Sequence, residues 1–299
     1  MPGTRLIKRD WVKDHVYLVQ FPRAGCIPSP SPFALKVETW LRMANIPYTN
    51  ISNNFSKFSD KGQIPFIEVN GREIADSNFI IDHLIEELHK KDIDDRLSPE
   101  EKANARAYHA LIEDSLRWVL IELRSRDNKW FASNMGFLPH FEGFKKMAFK
   151  NFVCEMIRRK LQAQAKFQGM GRNSPEEVTI LAKKDLDALS QFLGNKQYFF
   201  GDQPVTLDCE IFAHLAQFLY TPLPASPELR TYIQEHCQNL VAFVERMKAR
   251  YWPDWEEATN KRSMDSDWKK HINNPNLDAS FPPNVDTSIQ RNIEIKYTS

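Results

Sequence analysis

Residues 63–77 read QIPFIEVNGREIADS, and this stretch decides the fold of the first half of the chain. Two short apolar runs flank Asn70-Gly71, a dipeptide favoured in two-residue hairpin turns because both positions accept a positive φ. Ser77 opens a segment whose apolar residues recur at helical spacing as far as Leu88. The stretch therefore predicts a β-hairpin followed directly by a helix.

The residues before the hairpin predict a strand, a loop and a helix. A β-branched and aromatic run over residues 16–21 stops at Pro22, as a strand would. Four prolines within residues 22–32 mark a loop, and the apolar residues of 33–44 share one helical face. With another strand predicted near residues 47–51, the first half is expected to follow the order β-α-β-α-β-β-α.

The second half predicts helices alone. The sequence SPEE occurs at Ser98 and at Ser174, and each copy supplies a hydroxyl N-cap, a proline at the first helical position and a glutamate at the third. Apolar residues at helical spacing follow both copies and recur from Leu207 and near Leu240. The charged segment at residues 89–95 predicts the linker between the halves.

The composition bounds the class of protein. The chain has 299 residues with 42% hydrophobic content, enough for two domains. Its 40 basic and 39 acidic residues give a net charge of +1, which argues against a protein that coats nucleic acid. The four cysteines lie far apart without a CxxC pair, and neither a signal-peptide core nor a membrane-length apolar run is found. We therefore expect a soluble protein of the cytoplasm.

Two further segments stand out. From Pro253 to Ser299 only 13 of 47 residues are hydrophobic, which predicts a polar tail without a core of its own. Residues 144–172 carry eight basic residues and one acid among apolar positions at helical spacing: Phe149, Phe152, Val153, Met156, Ile157 and Leu161. This segment predicts a surface helix with one core face, or a contact with a membrane surface or an anionic substrate.

The order of elements and three motifs resemble the glutathione transferase superfamily. The motifs are SPFALKVETWLRM from Ser31, QIPFIEVNG from Gln63 and VTLDCEIFAHLAQ from Val205, and together they are most similar to the failed-axon-connections and metaxin-like branch. The resemblance implies an α+β fold, with a thioredoxin-like domain at residues 15–92 and an all-helical domain at 93–252. Residues 1–14 and 253–299 would then be an N-terminal extension and a C-terminal tail.

The resemblance also implies that glutathione is bound as a co-substrate and that its thiol is activated, with no metal. Ser31 matches the hydroxyl that stabilises the thiolate, although a serine before proline is equally an ordinary N-cap. Ser29 and Tyr17 are the alternatives, and Tyr17 is also explained as a core aromatic. Cys26 is a candidate reactive thiol in the same loop, whereas Ser31 and Ala34 stand where redox-active relatives carry cysteine, which disfavours thiol-disulfide exchange.

Four residues are implied to hold glutathione. In the thioredoxin-like fold the proline that matches Pro65 is cis and turns the backbone of Ile64 toward the cysteinyl part of the tripeptide. Asp76 and Ser77 match the pair that holds the γ-glutamyl end, since a helix start suits a carboxylate and an aspartate suits an ammonium. The alternative is that Ser77 is a plain N-cap.

Asp208 matches a buried capping aspartate of the superfamily, a stability residue outside the site. Because Val205 replaces the usual hydroxyl residue three positions earlier, Thr206 is the alternative cap.

Two functions remain open from the sequence. One is a glutathione transferase-like enzyme, with a role such as detoxification, that acts on a small electrophile lying against the helix after Ser98. The other is a non-catalytic adaptor that uses its surface, through residues 144–172, to bind a protein or a membrane. A homodimer is also expected from the resemblance.

Overall fold

The computed structural model describes residues 6–90 and 92–265. Its first half is a four-stranded sheet with two helices, in the chain order β1 (Val16–Gln20), α1 (Pro32–Met43), β2 (Tyr48–Ser52), β3 (Phe66–Val69), β4 (Arg72–Ala75) and α2 (Ser77–Glu87). The strands lie side by side as β2-β1-β3-β4, with β1 and β2 parallel and the other pairs antiparallel. This is the predicted thioredoxin-like half.

The hairpin prediction is confirmed. Strands β3 and β4 pair from Phe66 opposite Ala75 to Val69 opposite Arg72. The turn between them has φ of 48° at Asn70 and 77° at Gly71, the left-handed values that a two-residue turn requires.

The helix predicted between β2 and β3 is not formed. Residues 53–65 are turns, with positive φ at Asn54, Phe55 and Gly62. The Asn53 side chain accepts a hydrogen bond from the Phe55 backbone N–H and donates one to the Lys57 carbonyl, so it offers these backbone groups an alternative to helical bonds.

The N-terminal segment packs against the outer face of the sheet. Ile7 packs there against Val19, Phe66 and Ala75. The backbone N–H groups of Ile7 and Lys8 donate to the carboxylate of Glu68 on β3, at 2.6 and 2.8 Å. The predicted N-terminal extension is therefore part of the first domain from residue 6 onward.

The second half is helical, as predicted. Its helices are α3 (Pro99–Leu111), α4 (Arg117–Arg126), α5 (Gly143–Ala148), α6 (Cys154–Gln168), α7 (Pro175–Leu193), α8 (Thr206–Tyr220), α9 (Glu228–His236), α10 (Gln238–Tyr251) and α11 (Trp255–Asn260). One π turn, Ile112–Leu116, joins α3 to α4, and another, Phe149–Val153, joins α5 to α6. Both SPEE segments form complete capping boxes, at Ser98 and Ser174. No helix within the described residues is both long and apolar enough to cross a bilayer.

The helical domain extends beyond residue 252, so the structural tail begins later than predicted. Asp254 and Trp255 are buried, and the Trp255 ring contacts Phe212 and Tyr220 of α8. The buried residues of this segment, Asp254, Trp255, Ala258 and Thr259, thus belong to the core of the helical domain despite the polar composition around them. The remainder of the predicted tail, 266–299, lies outside the described residues.

A cluster of buried charges fixes α1 to the rest of the molecule. The Arg23 guanidinium donates to both carboxylate oxygens of Glu38 at 2.6 and 2.7 Å, and Arg42 donates to Asp254 at 2.5 and 3.1 Å. Burial alone would raise the pKa of Glu38, but the charges of Arg23 and Arg42 and the hydrogen bonds to the carboxylate together outweigh it and lower that pKa to about 2. We call these four side chains the charge cluster.

Helix α8 starts with an incomplete box. Val205 is the N-cap, and its side chain has no oxygen that could accept a hydrogen bond from the first turn. The Asp208 carboxylate accepts from the backbone N–H groups of Val205 at 2.7 Å and Phe199 at 2.9 Å. The alternative cap, Thr206, instead accepts from the Trp40 indole N–H, which links the two domains. Asp208 thus has the stabilising position expected of it, and burial raises its pKa to about 7.

Candidate functional site

The sheet register brings most of the predicted site residues to one edge. Phe66 lies opposite Val19 near the end of β1 and opposite Ala75 at the end of β4. Ile64 and Pro65, just before Phe66, and Asp76 and Ser77, just after Ala75, therefore lie at the same edge. The chain leaves β1 at this edge too, through the loop that leads to Ser31.

The Ile64–Pro65 bond is cis, as predicted. Pro65 is buried and Ile64 is half-buried at the approach to β3. The two residues thus lie at the start of β3, on the edge of the sheet where the loops of the first domain meet.

Asp76 begins the next helix with an unusual backbone. Its φ is 83°, a positive value that non-glycine residues adopt rarely and that is enriched at active sites and ligand clamps. Its carboxylate accepts from the Asn78 backbone N–H at 3.0 Å, so Asp76 is the N-cap of α2. The plain-cap alternative for Ser77 is therefore wrong: Ser77 is the first helical residue and is 4% exposed.

Ser31 is the N-cap of α1, and Pro32 is the first helical residue. The Ser31 hydroxyl oxygen accepts from the Ala34 backbone N–H at 3.3 Å, and the side chain is partly exposed. A hydroxyl that accepts in this way keeps its own proton to donate. Capping and donation to a thiolate are thus compatible roles for Ser31, and the geometry permits both.

The helical domain holds the loop in front of Ser31. Arg124 of α4 donates to the Pro30 carbonyl at 2.8 Å, and Gln217 of α8 donates to the Ser29 carbonyl at 3.1 Å. Burial raises the pKa of the Cys26 thiol to about 12, although the charge of Arg124 opposes the rise. Cys26 is therefore a protonated thiol at neutral pH, which does not favour the reactive role considered from the sequence.

The structure separates Tyr17 from the other predicted residues. Tyr17 pairs with Glu68, three residues beyond Pro65 along β3, and shares the outer face of the sheet with Val19. Its hydroxyl accepts from the Val12 backbone N–H at 3.0 Å, under the N-terminal segment. Tyr17 thus has the structural role that was its alternative.

A buried polar chain beside Ser77 was missed by the sequence reasoning. The Lys36 ammonium donates to the Asn78 side-chain carbonyl at 2.6 Å and to Glu210 of α8 at 2.8 Å. His109 of α3 lies 2.9 Å from both oxygens of the same carboxylate. We call Asn78, Lys36, Glu210 and His109 the interdomain chain, since it joins α1 and α2 to α3 and α8.

Two members of the interdomain chain, together with Glu113 next to them, have the donor set of a cation site. The ligand atoms of His109, Glu113 and Glu210 lie within 4.8 Å of one another. However, the charge of Lys36 and the hydrogen bond from His109 together outweigh the burial of Glu210 and lower its pKa to about 2. The ammonium already supplies the positive charge that this carboxylate needs, so the residues fit an ion-paired link between the domains better than a metal site.

The signal for these residues was weak but present. Lys36 lies between Phe33 and Val37, on the helix turn that the sequence assigned to the core, and a charge there indicates a buried partner. That partner, Glu210, is 174 residues away and has no pattern of its own in the sequence.

The comparisons with known proteins agree with this geometry. A family model described as the glutathione S-transferase N-terminal domain matches residues 32–130, and one described as the glutathione S-transferase C-terminal domain matches residues 182–247. The chain belongs to the glutathione transferase superfamily. Among solved structures, the β-etherase LigF from Sphingobium sp. strain SYK-6 superposes with a TM-score of 0.55 at 16% identity, over 83% of this chain and 99% of that one, which supports the fold alone.

Relatives of known sequence connect the chain to the branch inferred from its motifs. It is 38% identical over 277 residues to Failed axon connections of Drosophila melanogaster, covering 90% of this chain and 64% of that protein, so it spans less than two thirds of that relative. Metaxin-1 of Sus scrofa is 30% identical over 250 residues, with 78% of this chain and 73% of the relative covered. Isoprene-epoxide–glutathione S-transferase of Rhodococcus sp. (strain AD45) is 29% identical over 230 residues, with 75% and 94% covered.

Proposed function

We propose that this superfamily member binds glutathione at the edge of its sheet and that the thiolate attacks a small electrophile, which forms a thioether and releases the leaving group of the electrophile, such as chloride. The observation that carries the proposal is the meeting of the cis Ile64–Pro65 bond, the Asp76–Ser77 helix start and Ser31 at one edge. In this arrangement, the backbone of Ile64 binds the cysteinyl part of the tripeptide and the Asp76–Ser77 pair binds its γ-glutamyl end.

The chemistry requires a thiolate. A free thiol has a pKa of about 8.5, so little of it is ionised at neutral pH, and each unit by which the site lowers that pKa takes about 1.4 kcal/mol. The hydroxyl proton of Ser31 and the positive end of the α1 dipole stabilise the anion. Cys26 does not compete for the electrophile because its own thiol stays protonated.

The test separates the two roles of Ser31. In Ser31→Asp the carboxylate still caps the helix but has no proton to give, so we expect unchanged thermal stability and a loss of about 100-fold in kcat/KM for chlorodinitrobenzene with glutathione. In Ser31→Ala both roles are lost, with about 1 kcal/mol of stability. Turnover by Ser31→Asp at the wild-type rate would remove Ser31 from its catalytic role.

A second candidate is a non-catalytic adaptor, and the burial of the first loop favours it. Residues 27–30 and 22–24 are all buried, and the backbone N–H groups of Gly25 and Cys26 donate to the Met135 carbonyl, so residues next to Ser31 are covered by the helical domain. The identity to Failed axon connections and metaxin-1, whose names describe no reaction, points the same way.

Glutathione binding decides between the candidates. A thermal-shift titration to millimolar glutathione should raise the Tm of the wild type if the site is used. The absence of any shift, together with no turnover, would leave the adaptor as the function of this chain.

A further inference from the structure

Residues 143–168 form one continuous helical run of α5, a π turn and α6, and this run has two apolar faces. Its inner face is buried through Phe149, Cys154 and Ala165. Its outer face exposes five large apolar side chains by 51–91%: Phe144, Met147, Phe152, Met156 and Phe167. We call these five residues the outer strip.

The exposure of the outer strip differs from what the sequence pattern predicts. The helical spacing predicts one core face that contains Phe149, Phe152 and Met156, but Phe152 and Met156 are 70% and 64% exposed whereas Phe149 is 2% exposed. The prediction of a single core face for this segment was therefore wrong. Phe144, Met147, Phe152 and Met156 follow one another at spacings of three to five residues, and apolar side chains exposed together, unlike single ones, mark an interaction surface.

The π turn aligns the outer strip. Each residue of an α-helix turns the chain by about 100°, and a π turn accommodates one extra residue. Without the extra residue in Phe149–Val153, Phe152 and Met156 would be rotated by about 100° away from Phe144 and Met147. With it, the strip runs along one side of a helical run about 39 Å long.

The surroundings of the strip are strongly basic. Between residues 144 and 167 there are seven basic residues and one acid: Lys145, Lys146, Lys150, Arg158, Arg159, Lys160 and Lys166, with Glu155. Glu155 is paired with Arg158 and Arg159 at 2.8 and 2.7 Å. The four lysines at 145, 146, 150 and 166 are exposed, so the strip is flanked by positive charge at both ends.

We propose that the outer strip docks on the surface of a lipid bilayer that contains anionic lipids. Phenylalanine and methionine side chains on a helix lying in the interface enter the boundary of the acyl chains, and the lysine stems extend their ammonium groups to the headgroups. The strip is the protruding outer side of a helix. It is therefore not itself a groove that could receive a partner helix, and its shape suits a planar surface. A symmetric contact between two copies of the strip would bring two basic faces together, which is unfavourable.

This inference does not depend on the proposed function. The strip lies on α5, the π turn and α6, whereas the proposed glutathione residues lie just before β3 and at the N-termini of α1 and α2. A protein that binds glutathione, or one that does not, has the same outer strip.

The test is co-sedimentation of the full chain with vesicles of two compositions. We expect binding to phosphatidylcholine vesicles that contain about one third phosphatidylserine, and little binding to pure phosphatidylcholine, with a decrease at high salt. The variant Phe144→Ser/Phe152→Ser/Phe167→Ser should lose at least tenfold in affinity. Lys145→Gln/Lys146→Gln/Lys150→Gln should lose the preference for anionic vesicles.

Matched controls keep the test specific. Phe79→Ser/Ile180→Ser removes apolar side chains on α2 and α7 that are 60% and 53% exposed, and it should bind vesicles as the wild type does. Because all these side chains are exposed, the variants should melt near the wild-type temperature. No binding of the wild type to either vesicle, or equal loss in the control variant, would overturn the proposal. A dimer that the strip variant dissociates, without vesicle binding, would also overturn it and assign the strip to a second copy.

Discussion

Helix α1 carries polar side chains at both ends, and the two ends differ in how completely these groups are used. At the C-terminal end, Glu38 and Arg42 are buried and bonded to charged partners in the charge cluster. At the N-terminal end, Ser31 is partly exposed and accepts one hydrogen bond while its proton stays available. A saturated, buried group belongs to the framework, whereas a group with exposure and an unused donor is available for a ligand.

The largest loss of stability is expected at the C-terminal end of α1, where Glu38 lies in the charge cluster. Glu38→Gln removes the carboxylate charge from between the guanidinium groups of Arg23 and Arg42, so we expect a loss of about 3–5 kcal/mol in the free energy of unfolding. Urea unfolding measures it as a lower midpoint at constant m. The control is Glu257→Gln, whose partner Lys261 is 72% exposed, and it should cost at most about 0.5 kcal/mol. An equal loss of unfolding free energy in the two variants would contradict a special role of the buried charge cluster.

The second largest effect is expected from acid, which should weaken the charge cluster at the C-terminal end of α1. The pKa of Glu38 is lowered from 4.5 to about 2 in the folded protein, so its contribution is complete above pH 4.5 and is lost as the pH falls toward 2. Over that range we expect a decrease on the order of 3 kcal/mol in unfolding free energy from this group. The measurement is urea unfolding at a series of pH values. Glu38→Gln should show a shallower decrease, and an unchanged slope would assign the acid sensitivity elsewhere.

A smaller effect tests the sheet edge. Asp76→Ala and Asp92→Ala each remove a carboxylate that accepts the backbone N–H two residues later, at 3.0 and 2.9 Å, and each should cost about 1 kcal/mol of stability. Only Asp76→Ala should also weaken glutathione binding, by about tenfold in calorimetry, because only Asp76 lies at the proposed site. If both variants bind glutathione equally well, Asp76 only stabilises the start of α2 and does not contact the tripeptide.

The smallest effect is expected at Tyr17. Tyr17→Phe removes the hydroxyl that accepts from the Val12 N–H, which should cost about 1 kcal/mol of stability. The kcat/KM for any glutathione-dependent reaction should stay at the wild-type value, since the hydroxyl lies under the N-terminal segment. A fall in kcat without a fall in stability would return Tyr17 to the site.

What the sequence predicted well was local. The Asn70-Gly71 turn and the boxes at Ser98 and Ser174 depend on residues within four positions of one another, and all were predicted correctly. The cis bond before Pro65 was predicted through the family resemblance, as were Ser31 and Asp76 at helix starts.

What the sequence did not predict was set by distant partners. The Lys36–Glu210 pair joins residues 174 positions apart, and Asp254 is recruited into the core by Arg42, 212 positions earlier. The exposure of Phe152 depends on the register shift of a π turn, which a constant helical period does not contain. Contacts between distant residues and the local π turn thus determine which polar side chains are buried and paired and which apolar side chains are exposed.

The two cations buried on α1 also bear on how the protein could have been assembled from parts. Lys36 and Arg42 belong to the thioredoxin-like half, but their carboxylate partners Glu210 and Asp254 both belong to the helical half. A first half cut away near residue 92 would keep both cations without these counter-ions. In the second half, Glu210 would keep His109 but lose Lys36, and Asp254 would lose Arg42. The halves are therefore separate in architecture but interdependent in stability, and neither is a module that could be exchanged with that of another protein unless the matching charge came with it.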